Sequence, residues 1–121
     1  MSISYQAIDK MREIIGGDKD VLAEILESFI DEAGPLAEAV RNAARDGKLD
    51  MLGRAAHTIK SSARDFGDDE LAALCAAAEL ASKAGALPSA LANSERIAQG
   101  CLALKEELAA YIGKELKGEA A

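Results

Sequence analysis

The stretch "DKDVLAEILESFIDEAGPLAEAVRNAARDG", residues 18–47, places Val21, Leu22, Ile25, Leu26, Phe29, Ile30 and Ala33 at alternating three- and four-residue spacings. That is the period of one helix face, and a stripe so continuous has to be buried against other elements. Asp18 or Asp20 supplies an N-cap acceptor in front of it. Gly34-Pro35 interrupts the pattern, yet Leu36, Ala37, Val40 and Ala44 resume it. The stretch therefore reads as one long helix, kinked near the proline and ending around Asp46-Gly47.

Working outward, the same period recurs between glycines, and no alternating segment is long enough to suggest a sheet. A short helix from about Tyr5 to Ile15 ends at Gly16-Gly17. A third helix is expected from about Leu49 to Phe66, stopping at Gly67. Asp68, Asp69 and Glu70 place acid at the start of a fourth, which continues to about Ala84-Gly85 and makes a tight hairpin with the third. Pro88 suits the first turn of a fifth, with Ile97, Cys101, Leu104, Leu108 and Ile112 facing inward. Beyond Gly113 the chain is expected to fray. With no Trp, two Phe and two Tyr, the core must be filled by aliphatic residues and Ala, which suit closely approaching helices. The expected fold is all-α: an antiparallel four-helix bundle with an additional short N-terminal helix over one end. At 121 residues, one domain spanning 1–121 is expected.

A formal net charge of -7 repels phosphate backbones, and no basic stretch carries aromatic residues on which bases could stack, so nucleic acid is not expected as a partner. No segment has the length and apolarity of a membrane span, and the N-terminus lacks the pattern of a signal peptide, which together suggest a cytoplasmic protein. Cys75 and Cys101 stand 101 - 75 = 26 positions apart, without a C-x-x-C pair or a second histidine. They read as free, buried thiols, and no metal site or cofactor is expected.

The single histidine, His57, lies in the middle of the third helix. At roughly 100° per residue, Gly53, Arg54, Lys60, Ser61 and Arg64 fall within roughly 60° of it, while Leu52, Ala55, Ile59, Ala63 and Phe66 fall on the far side. His57 thus belongs to the polar face, flanked by three cations and by small residues that leave room for approach. Such a surface suits an anion.

The stretch "AAHTIKSSARDFGDDELAALCAAAEL", residues 55–80, resembles the signature of the histidine-containing phosphotransfer (HPt) family: a histidine, an aliphatic residue two on, lysine three on, then Gly or Ser, a small residue, and glycine ten on. His57, Ile59, Lys60, Ser61, Ser62 and Gly67 match in order, with Ser61 standing where many members have Gly. The resemblance runs from roughly Ala7 to Ile112 and includes the start of the long second helix.

What the resemblance implies is a phosphoryl carrier of a two-component phosphorelay, without ATP-dependent activity of its own. His57 would accept the phosphoryl group from a receiver-domain aspartate or a sensor or hybrid histidine kinase, and pass it to another receiver. Lys60 would offset the added charge. Glu79, 79 - 57 = 22 positions downstream, would accept a hydrogen bond from His57 Nδ1 and leave Nε2 free to attack. Gly53, Arg54, Ser61 and Arg64 would belong to the docking face, Mg²⁺ would come with the receiver, and the protein would act as a monomer. The reading from another class is a helical adaptor in which His57 is incidental.

Overall fold

The computed structural model describes residues 2–117. Helices α1 (Tyr5–Ile14), α2 (Lys19–Asp46), α3 (Leu49–Asp65), α4 (Asp69–Lys83), α5 (Leu87–Leu91) and α6 (Ser94–Tyr111) follow in order, and a π-helical turn, Ile112–Leu116, continues α6. No strand occurs among the described residues. The four long helices form a bundle in which α2 packs on α3, α3 on α4, α4 on α6 and α6 on α2. Short connections make successive neighbours antiparallel.

Helix α2 is continuous through Pro35. Its cap is Asp18, whose Oδ1 accepts from Asp20 N at 2.8 Å and Val21 N at 3.2 Å. Leu22, Leu26, Phe29, Ala33, Ala37, Val40 and Ala43 are its buried stripe. On α3 the buried set is Leu52, Ala55, Ala56, Ile59 and Ala63, with Phe66 just beyond. Small residues bring the helices close: Ala33 meets α6 tightly enough for Cys101 Sγ to lie 3.5 Å from its carbonyl oxygen. Phe29 and Phe66 lock α2 to the end of α3 in an edge-to-face pair with centroids 5.8 Å apart. Across one end, α1 contributes the fully buried Ile8.

Two expectations are corrected. The fifth helix is divided: α5 ends at Leu91, and α6 starts only at Ser94. Ser94 Oγ donates to the Leu91 carbonyl at 3.0 Å, taking the place of a backbone donor there, and Asn93 stands at φ -116°, ψ 11°, outside the helical well. The chain also does not fray directly after Gly113. Ile112 and Leu116 are both buried, and that apolar burial holds the π-helical turn against the bundle. Residues 118–121, the rest of the expected frayed tail, lie outside the described residues.

The α3–α4 hairpin determines what can face what. Gly67 takes φ +78°, its N–H reaches the Arg64 carbonyl at 3.2 Å, and Asp68 N reaches the Ala63 carbonyl at 2.8 Å, closing α3 with a left-handed residue. Ser4 lies directly over this turn, its N–H donating to the Phe66 carbonyl at 2.9 Å. A Cβ at Gly67 would collide with Ser4 Cβ. Gly67→Ala therefore meets both left-handed strain and a clash, and is expected to cost more than about 1–2 kcal/mol in chemical denaturation. Asp68, 2% exposed, caps α4 through Oδ1 on Leu71 N at 3.1 Å. Burial raises its carboxyl pKa against the lowering effect of that bond. A raised carboxyl binds its proton more tightly in the folded state, so its contribution to stability falls as pH climbs from the ordinary carboxylate value through the raised one. Asp68→Asn keeps the acceptor without the buried charge. Its denaturation midpoint at pH 7 is expected to equal or exceed the parent's, whereas Asp68→Ala should lose about 1 kcal/mol.

Candidate functional site around His57

The hairpin register explains why His57 and Glu79 meet. His57 lies 67 - 57 = 10 residues before Gly67 and Glu79 lies 79 - 67 = 12 after it. At roughly 1.5 Å per residue the two reach similar heights on antiparallel neighbours. His57 Nδ1 stands 2.9 Å from Glu79 Oε2. Lys60, one turn along α3, places Nζ 2.6 Å from the other oxygen, Oε1. Lys83, one turn along α4, brings Nζ to 3.7 Å from Oε2. One carboxylate thus gathers the imidazole and two ammonium groups.

Exposure separates their roles. The His57 side chain is 59% exposed, while Glu79 is 13% and Lys60 14%. The imidazole stands in solvent on a half-buried ion pair. With Nδ1–H donating to Glu79, Nε2 carries the lone pair and points away from that bond. The Lys60 hydrogen bond is the largest cause holding the Glu79 carboxyl below its ordinary range; partial burial opposes it, and the bond from His57 adds to it. The neighbouring hydroxyls on α3 are occupied: Thr58 Oγ1 donates to the Arg54 carbonyl and Ser61 Oγ to the His57 carbonyl, each at 3.2 Å. The buried thiols offer no rival nucleophile, since burial pushes Cys75 to about 12 and Cys101 to about 11.

Of the residues singled out in the sequence, His57, Lys60 and Glu79 come together. Arg54, Ser61 and Arg64 remain exposed on the polar face. Gly53 and Lys60 are half-buried instead, because α4 covers that edge of α3. A Cβ at Gly53 would stand 3.3 Å from Ser82 Cβ, so glycine here admits α4 as well as leaving space before the histidine. Beside them an open groove of about 620 Å³ is lined by Asp50, Gly53, Arg54, His57, Glu79, Ser82 and Lys83, among others. Ser82 and Lys83 were not anticipated. Their signal was their place three and four residues after Glu79, which puts them on the same face of α4.

Among the described residues no cluster of His, Cys, Asp and Glu could hold a metal ion, and no helix is long and apolar enough to cross a membrane. His57 is an exposed histidine in the middle of a bundle helix, held at Nδ1 by a carboxylate from the next helix. The Hpt domain family matches residues 24–113. The chain belongs to that family of helical phosphotransfer bundles. Neither the curated proteins nor the solved structures include a match.

Removing the Lys60 ammonium is expected to raise the Glu79 pKa toward the ordinary carboxylate value. Glu79's contribution to stability is present above its unfolded pKa and lost as pH falls through the depressed folded one, so Lys60→Ala should move that loss to higher pH. Carboxyl ¹³C titration of Glu79 checks it; an unmoved curve would assign the depression to another cation.

Proposed function

We propose that this protein is a phosphoryl carrier of a two-component phosphorelay, with His57 as the carrying residue and receiver domains of response regulators as its partners. The observation that carries the reading is the Nδ1 to Glu79 Oε2 distance of 2.9 Å on a side chain that is otherwise exposed. It leaves Nε2 as the nucleophile facing solvent.

In the forward step, the Nε2 lone pair attacks the phosphorus of a receiver's aspartyl phosphate. The N–P bond forms as the bond from phosphorus to the aspartate oxygen breaks, and the aspartate leaves as a carboxylate. Nδ1 keeps its proton on Glu79, which stabilises the positive charge developing on the ring. The reverse step returns the phosphoryl group to an aspartate, of the same or another receiver. Phosphoryl transfer needs position and charge compensation above all. Lys60 provides compensation through Glu79, since its ammonium cancels the carboxylate charge that would otherwise repel the incoming group. The receiver brings Mg²⁺, and Arg54, Ser61 and Arg64 belong to the face it covers. A sensor or hybrid histidine kinase is the alternative donor, and the protein works as a cytoplasmic monomer.

His57→Gln should abolish acid-labile phosphate acquired from a phosphorylated receiver. It should leave the denaturation midpoint within about 0.5 kcal/mol, because the side chain is exposed. Intact mass spectrometry before and after acid treatment reads the first and urea titration the second. With ATP and Mg²⁺ alone no phosphate should appear. Labelling that persists in His57→Gln would overturn the assignment, and a helical adaptor would show no labelling of the parent protein at all.

A further inference from the structure

The two lysines that approach Glu79 are not equivalent. Lys60 is committed: its Nζ lies 2.6 Å from Glu79 Oε1 and its side chain is 14% exposed. That distance is a short charge-assisted hydrogen bond, and withdrawing the ammonium would leave Oε1 of a half-buried carboxylate without its partner. Lys83 differs on each count. Its Nζ is 3.7 Å from Glu79 Oε2, beyond hydrogen-bond length, and its side chain is 75% exposed. The oxygen it approaches is the one that accepts from His57 Nδ1, so ammonium and imidazole share one carboxylate oxygen. It also lines the groove that opens along His57, together with Arg54, whereas Lys60 does not line it. Ser82 Oγ, on the same wall, is buried without a hydrogen-bond partner among the described residues.

A phosphoryl group on Nε2 brings about -1.5 to -2 charges next to the Glu79 carboxylate. Lys60 already balances that carboxylate one for one, so a further cation has to meet the new charge. We infer that Lys83 is that cation: on phosphorylation its side chain swings from Glu79 to the phosphoryl oxygens, while Lys60 stays on Glu79. The move exchanges a loose, solvent-exposed pair for a contact with a more highly charged group, and it leaves the half-buried carboxylate paired. Lys83 is thus a contact to the transferred group supplied by α4, outside the motif on α3. This rests on the carrier reading of His57.

The test uses phosphoramidate as a small phosphoryl donor, which labels an accessible histidine without a receiver and so separates charge compensation from docking. Parent, Lys83→Gln, Lys83→Arg and Lys60→Gln are labelled, and the decay of the phosphorylated form is followed by intact mass at low salt. Lys83→Gln is expected to shorten the half-life about two- to fivefold, the size of one exposed charge pair, with the difference fading at high salt. Lys83→Arg should restore it. The ³¹P titration of the phosphoryl group should shift upward in Lys83→Gln, because a lost cation disfavours its dianion. In the parent, the Lys83 side-chain resonances should move on phosphorylation more than those of Lys60. A Lys83→Gln half-life and ³¹P titration identical to the parent's would overturn the inference while leaving the carrier role standing. Failure of the parent to acquire phosphate on His57 would instead sink both.

Discussion

The carboxylate of Glu79 accepts Lys60 Nζ at 2.6 Å on one oxygen and faces His57 Nδ1 at 2.9 Å on the other, and the surrounding structure can be followed outward from that pair of contacts. An ion pair between helices depends on their register. A slip of one residue along α4 would turn Glu79 by roughly 100° and carry it off the shared face. Register is set at the hairpin, where Gly67 at φ +78° ends α3 and Asp68 caps α4. It is held by the close approach of Gly53 to Ser82 and by the buried apolar stripes below. The N-terminal segment also belongs to this chain of dependence, since Ser4 is seated on the turn through the Phe66 carbonyl.

Burial is graded across the site in a way that suits its chemistry. Glu79 and Lys60 are half-buried, so their attraction is less screened than between fully exposed charges, and the carboxylate stays ionised to lower pH. His57 is mostly exposed, so a partner can reach Nε2 without any opening of the bundle. The helices therefore give orientation from below and access from above. On the proposed reading, that division lets a rigid bundle with one reactive side chain serve as a carrier without any opening of its core.

Most of the fold was legible because its signals are local. The stripe of α2, the Asp18 cap and the glycines that end α1 and α3 each announce themselves within a few residues. The division of α5 from α6 escaped because Leu91, Ala92 and Asn93 carry no Gly or Pro, and the decisive bond, Ser94 Oγ to the Leu91 carbonyl, is a choice between two donors of similar strength. Gly113 suggested an ending, yet burial of Leu116 outweighs one helix-weakening residue. At the site, His57 and Lys60 could be placed on one helix face by counting alone. The Glu79 contact depends on interhelical register, for which only the family resemblance gave a hint. Lys83 was invisible for a plainer reason: a lysine on an acidic protein's surface looks like a solvated charge until the groove beside it is known.

The distribution of cations also bears on reversibility. A carrier on the proposed pathway has to accept a phosphoryl group and then lose it, so the phosphorylated state must be stabilised only slightly relative to the free one. A buried cation paired directly with the phosphoryl oxygens, and with no other partner, would bind too firmly, because a low-dielectric pair is costly to separate. An ammonium at 75% exposure interacts through screened charge and contributes on the order of 1 kcal/mol or less. Such a contact is large enough to slow hydrolysis and small enough for a receiver to displace. On that reading, committing the half-buried Lys60 to Glu79 and leaving the exposed Lys83 to approach the phosphoryl group would keep orientation strong and retention weak.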